Sequence, residues 1–402
     1  MKEKKQMKRI LALILTIFTL VFAFASCTSG ESKETEKKTE KQTEKKTDEL
    51  DLGENEELEF EEDNDTSDKK AEGSATGDKT NDQTEGDNLQ SAYTRSGNKI
   101  KFGSYPQAEV TDEALVATLN AKAGALPTEN NKQAWTSYGY YRTGSNDWDF
   151  TWYIDITEGG ERYRGVYFIS YRPYYTTGEP SGTGSNQAQY GYYVSTSEEA
   201  HVYWFKYEPI SWTILSEDET NKTAFILCDM IIDAQEYYCA DENRTIEGET
   251  VYANNYEHSN IRKWLNKTFY ETAFDDLQRA IIAETKVKND LSSTGMIVNP
   301  YTSNDTTDKV FLLSYEELTN EHYKIGTEVA IKKKVTEYAK AQNAWARYTD
   351  DEYIGNGYWW LRTPSPDSYD FAVNATYAGE VSTYNVYYAR GGVVPALQIK
   401  LK

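Results

Sequence analysis

From residue 93 onward, apolar and polar positions alternate in short runs, the pattern of half-buried strands. In "KIKFGSYPQ" (99–107), Ile100 and Phe102 alternate with lysines, and Gly103–Pro106 reads as the turn that ends the run. "FTWYIDIT" (150–157) and "RYRGVYFISY" (162–171) read as strands joined by a Gly159-Gly160 turn. "HVYWFKY" (201–207) and "ISWTILS" (210–216) read as two more. "KTAFILCDMIID" (222–233) is apolar throughout, as expected of a central strand. "DKVFLLS" (308–314) reads as another buried strand. "GYWWLRT", "DFAVNAT", "GEVSTYN" and "VVPALQIKL" make the last quarter strand-rich.

Helical spacing is rarer. "TDEALVATLNAKAG" (111–124) predicts a helix with Thr111 as cap and Gly124 as its end. "HSNIRKWLNKTFYETAF" (258–274) predicts a better one, capped by Ser259, with Ile261, Trp264, Leu265, Phe269 and Ala273 on one face. A lysine-rich helix is expected near 328–342. Short strands, few helices and no regular strand–helix–strand spacing imply an α+β fold with mostly antiparallel sheet.

The segment before residue 93 follows other rules. A basic stretch (1–9) and the apolar "ILALILTIFTLVFAFAS" (10–26) lead to Cys27, the layout of an export signal. "FASC" resembles a bacterial lipoprotein box, with Phe24 where leucine is usual. It implies cleavage after residue 26 and lipid attachment at Cys27; an ordinary cleaved signal is the alternative. Residues 27–92 are rich in Lys, Glu, Asp, Thr and Gly, too polar to bury a core. They are expected to form a disordered tether reaching roughly 45 Å. The expected organisation is a signal peptide (1–26), a charged linker (27–92) and one α+β domain (93–402), on the outer face of the cell membrane.

Composition narrows the partners. A net charge of −22 repels nucleic acid and anionic lipid headgroups, and so disfavours DNA or RNA as a partner. Thirty-three tyrosines favour recognition surfaces, where a ring and a hydroxyl come at low entropic cost, although tyrosines also fill amphipathic strands. Tyr174, Tyr175, Tyr190, Tyr192 and Tyr193 flank a Gly/Ser loop and form one candidate glycan or peptide site; a loop packed over the core by its own tyrosines is the other reading.

No catalytic constellation stands out. His201, His258 and His322 lie in unlike contexts and form no HExxH pair, and neither a G-x-S-x-G elbow nor a phosphate loop occurs. Nothing in the sequence calls for a cofactor or metal. "CADENRTIEGE" (239–249) and the pair Asp305/Asp308 carry oxygen ligands without EF-hand spacing, and a helix cap or a lysine partner is the expected role of Asp308. Cys228 and Cys239 are the only other cysteines, free or bridged.

Seven segments, in order, resemble a bacterial family, domain of unknown function 6273 (DUF6273), found in secreted and lipoprotein chains of Gram-positive anaerobes. They are "FGSYPQ" (102–107), "RYRGVYF" (162–168), "YWFKYEPISWTIL" (203–215), "SNIRKWLN" (259–266), "TTDKVFLLSYEE" (306–317), "YWWLRTP" (358–364) and "VVPAL" (393–397). Trp212, Trp264, Trp359, Trp360 and Arg362 are the signature residues. Two positions depart from the family pattern. Thr363 stands for serine, and Val394 for an arginine that Arg390 would replace. The resemblance implies no established activity; its terminal layout is also similar, more distantly, to C-type-lectin-like and formylglycine-generating-enzyme-like folds. The cysteine pair of the latter chemistry has no counterpart after Cys239. Strand alternation puts one of Trp359 and Trp360 towards the core and the other on the opposite face, with Arg362 on the side of Trp360.

The expected role is that of a membrane-anchored surface module binding a glycan or protein. A carbohydrate-active hydrolase with paired carboxylates, or a structural subunit, are the alternatives.

Overall fold

A computed structural model describes residues 92–127, 134–141, 148–168, 171–173, 191–193, 201–323, 325, 331–347, 352–388 and 391–401. All of them belong to the compact unit Ala75–Lys402. The signal segment, Cys27, Tyr174, Tyr175, Tyr190 and Arg390 lie outside the described residues.

In chain order the first strands are β1 (Thr94–Ser96), β2 (Lys99–Glu109), β3 (Thr136–Tyr141), β4 (Trp148–Glu158), β5 (Glu161–Phe168), β6 (Tyr171–Pro173), β7 (Gly191–Tyr193), β8 (Val202–Asp218) and β9 (Thr223–Cys228). They are followed by β10 (Asp233–Ala234), β11 (Arg244–Ile246), β12 (Glu249–Val251), β13 (Thr285–Val287) and β14 (Thr306–Asp308). The last are β15 (Trp359–Pro364), β16 (Phe371–Ala375), β17 (Val381–Asn385), β18 (Gly392–Val393) and β19 (Ala396–Lys400). The helices are α1 (Glu113–Ala123), α2 (Asn260–Ala273, with a π turn at Leu265–Phe269), α3 (Asp276–Ile281), α4 (Tyr315–Thr319) and α5 (Glu337–Ala341). The fold is α+β, and nearly all strand pairs are antiparallel, as the pattern implied.

The larger sheet has eight strands, running β1-β2-β8-β5-β4-β3, with β9 on β8 and β19 on β9. The smaller one runs β10-β18-β15-β16-β17. A main core fills the space between them and the helices, and a second cluster of Leu119, Trp135, Trp152, Ile154, Tyr163, Val202 and Trp204 lies beneath α1.

Four local expectations are corrected. The two strands expected at 201–216 are one strand of 17 residues, β8. On one edge β2 pairs along its length; on the other, β5 ends at Lys206 and β9 begins at Trp212. Pro209 falls in the gap between them, where its missing N–H costs no ladder bond. The turn expected at Gly103–Pro106 is a bulged continuation of β2. Gly103 has φ +72°, and a Cβ there would stand 2.6 Å from the Phe274 ring, so no other residue fits without strain. Helix α1 is capped by Asp112, whose Oδ1 accepts the Leu115 N–H at 2.8 Å, not by Thr111; Gly124 ends it as expected. Of the buried strand expected at 308–314, only Asp308 lies in a ladder, at the end of β14; Val310–Leu313 is fully buried but bridges only Phe311 to Ala396.

Among the described residues the lysine-rich helix expected near 328–342 is interrupted over 332–336 and includes one turn, Glu337–Ala341, capped by Thr336; residues 326–330 lie outside the described residues. Cys228 and Cys239 are free thiols, the first buried and the second exposed.

Candidate functional site

Helix α2 begins as its sequence dictates. Ser259 Oγ accepts the Arg262 N–H at 3.2 Å, and Ile261, Leu265, Phe269 and Ala273 bury one face. Trp264 is only half-buried and stacks on Phe269, with ring centroids 5.5 Å apart. The polar residues of the same helix hold a remote segment. Arg262 Nε donates to Asp308 Oδ1 at 2.7 Å. Asn266 Nδ2 donates to the Val310 carbonyl at 2.9 Å, while its Oδ1 accepts the N–H groups of Lys309 and Val310 at 2.8 and 3.2 Å. "SNIRKWLN" is thus a clamp on "TTDKVFLL". The expected lysine partner of Asp308 is Arg262 instead. Asp308 Oδ2 also accepts from Thr306 Oγ1, so both carboxylate oxygens are taken.

The clamped segment is held from the other side by β15. The Arg362 N–H donates to the Leu313 carbonyl at 2.9 Å. Its guanidinium, 2% exposed, donates to Glu317 at 2.5 and 2.9 Å, to the Leu312 carbonyl at 2.7 Å and to the Lys288 carbonyl at 3.2 Å. Burial would lower the pKa of the guanidinium, but the adjacent Glu317 carboxylate outweighs it and holds the pKa above its usual value. Glu317 also closes the capping box of α4, accepting the Ser314 N–H at 2.9 Å while Ser314 Oγ accepts its own. Thr363 Oγ1 accepts the Tyr315 N–H at 2.8 Å, the contact that a serine hydroxyl at this position would also make.

The two tryptophans of β15 do not divide between core and surface. Both are fully buried, because the smaller sheet is covered on each face here. Trp359 Nε1 donates to the Ile331 carbonyl at 3.0 Å and Trp360 Nε1 to that of Gln235 at 2.9 Å. A Cβ on Gly391 would overlap the Trp360 indole. Neither ring is available to a ligand. Trp212, in β8, is likewise buried and donates to the Phe102 carbonyl at 2.7 Å. Val394 is fully buried in the main core.

Beside this junction a cleft of about 430 Å³ opens. One wall is β13 with the turn after it (Thr285, Lys286, Val287, Lys288, Ser292, Ser293), and the other is α4 with Ser314, Glu316 and Glu317. Phe225, Phe311, Tyr323, Gln398 and Arg362 complete it. Phe225 and Phe311, both buried, stack at 5.7 Å and form the floor of the cleft, and Phe225 meets the half-buried Tyr323 edge-on at 5.3 Å, so Tyr323 is the ring the cleft presents. Most of its charged and polar groups are spent: Arg362 on Glu317, Lys286 on Asp305 at 3.5 Å, and Glu316 on Asn320 at 2.9 Å. Among the described residues, the Tyr323 hydroxyl, the Gln398 amide and the Lys288 ammonium make no hydrogen bond or ion pair. Partial burial raises the pKa of Tyr323, which stays a neutral donor at physiological pH.

A second polar network lies in the larger sheet. Asp155 accepts from Arg164 Nε and Nη2 at 2.8 Å each, from Arg162 at 2.9 Å and from the Tyr207 hydroxyl at 2.9 Å. Burial would raise its pKa, but the arginines hold it below the usual carboxylate range. Nearby, Asp233 is fully buried, accepts from the Tyr105 hydroxyl at 2.6 Å, and is pushed up to about 6 by burial.

Of the tyrosines singled out from sequence, Tyr192 and Tyr193 lie in β7, paired with Arg172 and Tyr171 of β6; the structure describes their backbone only. Tyr174, Tyr175 and Tyr190 are outside the described residues. Among the described residues no group of three or more His, Cys, Asp or Glu side chains is placed to hold a metal ion. The cleft residues Lys288, Tyr323 and Gln398 had no signal in the sequence. Only Ser314-Tyr-Glu-Glu317, a readable capping box, pointed to their neighbourhood.

Comparison with curated proteins and with solved structures returned no match. A family model does match, and its span holds every residue of the cleft together with "SNIRKWLN", "TTDKVFLLSYEE", "YWWLRTP" and "VVPAL". The three earlier motifs precede it, so the match is narrower than the resemblance read from sequence. Residues 221–401 match the family described as Domain of unknown function (DUF6273), which supports placing this part of the chain in that family.

Proposed function

We propose that the chain is a lipid-anchored, extracytoplasmic binding module of a Gram-positive cell envelope, and that a glycan is the ligand of the β13–α4 cleft. One observation carries the reading: the half-buried Tyr323 ring, with its unspent hydroxyl, shares the cleft with two more unspent polar groups, Gln398 and Lys288, while the cleft's other charges are mostly paired. Sugar rings stack on aromatic faces, and their hydroxyls need a few fixed donors and acceptors. The candidate site moves here from the Tyr174–Tyr193 loop, which remains a possible second contact. The attachment residue is Cys27, and nucleic acid is not a partner.

The test is a glycan array probed with the full chain and with Tyr323→Ala and Gln398→Ala variants. The reading expects a defined set of bound glycans and about tenfold weaker binding in each variant, the loss of one or two good contacts. A folded protein that binds no glycan, or binds equally with both substitutions, would refute it. Capture of an envelope protein instead would assign the cleft to a protein ligand.

The hydrolase reading is weaker. Glu316 and Glu317 are the cleft's carboxylates, and Arg362 occupies both oxygens of Glu317, leaving no free acid–base pair. Release of reducing sugar from a bound glycan would revive it. Stable oligomers in light scattering would favour a structural subunit. The distant likeness to C-type-lectin-like and formylglycine-generating-enzyme-like folds belongs to this proposal too, resting on the terminal layout of the motifs; an experimental structure that superposes on neither would remove it.

A further inference from the structure

The segment Leu291–Tyr301 faces two ways. Its first turn gives Ser292 and Ser293 to the cleft. Both ends are held: Ser293 and Thr294 are buried at the first, and Asn299 is tied to β15 at the second. Thr294 Oγ1 accepts the Met296 N–H at 3.2 Å and donates to the Leu291 carbonyl at 2.8 Å. Asn299 Nδ2 donates to the Pro364 carbonyl at 2.9 Å, and its Oδ1 accepts the Tyr301 N–H at 3.0 Å. Between these pins Ile297 and Val298 stand 94% and 70% exposed, the highest values among the exposed large hydrophobic residues described, and Leu291 is 40% exposed. A loop held on both sides is presenting these side chains.

We propose that the Ile297–Val298 tip is a wedge that docks the folded unit on a lipid surface. Two aliphatic side chains and the edge of a third fall far short of the roughly 1,000 Å² that a specific protein interface buries. A bilayer boundary demands no complementary shape, and binding there scales with the apolar area inserted. Lys286 and Lys288, in the stretch leading to the turn, supply cations; Lys286 already pairs with Asp305, and Asp290 is exposed beside them. Insertion of the apolar tip therefore carries the binding, and a chain of net charge −22 gains nothing overall from anionic headgroups. The inference rests on the extracytoplasmic part of the proposed function and is independent of what fills the cleft.

The test uses the mature chain from residue 27 onward, without the apolar signal, in a Cys27→Ser, Cys239→Ser background, with a polarity-sensitive dye on Ile297→Cys, or on Glu219→Cys in the exposed β8–β9 turn as control. The dye is read with vesicles of phosphatidylcholine, alone or mixed with phosphatidylglycerol. The expected result is a blue-shifted emission from the loop label only, and about tenfold weaker vesicle partitioning of an Ile297→Asp, Val298→Asp double variant. Unchanged loop emission, an equal shift at both labels, or unaltered partitioning of the double variant would overturn it. Concentration-dependent oligomers that the double variant abolishes would also do so, assigning the tip to a second copy of the chain. The double variant should keep wild-type glycan binding, so failure of the wedge and failure of the cleft reading are separable.

Discussion

Arg362 makes four hydrogen bonds from inside the core, and Glu317 at once pairs with it and caps α4. Removing one partner strands a buried charge, so Glu317→Gln should lose about 3 kcal/mol in denaturant unfolding; a loss below about 1 kcal/mol would show the pair to be peripheral. A second test at this scale concerns pH. The pKa of Asp233 rises from its unfolded value to about 6 on folding, and that of Glu236 to about 7, both through burial. Raised carboxylate pKa values mean that the folded state binds more protons, so both groups favour folding at low pH. Their contribution is lost as pH rises from about 4 through about 6 and 7. Asp155, held low by Arg164, acts in the opposite sense, and its contribution is lost as pH falls. Asp233→Asn should therefore gain stability relative to wild type between pH 4 and pH 7, by roughly 3 kcal/mol at most. Parallel pH–stability curves for the two proteins would contradict the assignment. None of these pairings was legible in the sequence. Arg362 and Glu317 lie 45 residues apart, and Tyr105 and Asp233 lie 128 apart; composition and local spacing carry no information about partners so remote.

At the scale of elements, what was legible was short-range. Helix α2 could be read because its cap and its four-residue spacing sit within one stretch of chain, and the C-terminal strands because their alternation does. What was missed depended on neighbours. Glu208-Pro209 looks like a strand break until β5 and β9 are seen to leave a gap there, and Val310–Leu313 looks like a strand until its hydrogen bonds are traced to Asn266, Arg362 and Ala396. The candidate site inherited that limit, since Phe225, Phe311 and Tyr323 come from three separate segments. The clamp gives the element-scale prediction. Asn266→Ala removes three bonds to residues 309–310 and should cost about 2 kcal/mol. Amide exchange should accelerate mainly over 306–313. Ser259→Ala should cost about 1 kcal/mol and fray only the start of α2. If both variants loosened the same amides, the clamp would be indistinguishable from a cap.

Over the whole molecule, the family match and the cleft coincide. Residues 221–401 supply every cleft residue, while β9 joins this part to β8 of the preceding chain in one continuous sheet. The geometry of the junction therefore has two uses: "SNIRKWLN" and "YWWLRTP" fix the segment between them, and that fixed segment forms the back of the cleft. The N-terminal reading has a separate check. Cys27→Ser should release the protein from the membrane fraction or leave its signal uncleaved at the higher mass, and unchanged partitioning of a chain that is still cleaved would refute lipid attachment.

The most direct measurement is hydrogen–deuterium exchange of the full chain with and without a glycan bound on the array. The cleft account predicts protection confined to 285–293, 314–323 and 396–400. Protection centred on residues 171–193, or none anywhere at saturating glycan, would contradict it.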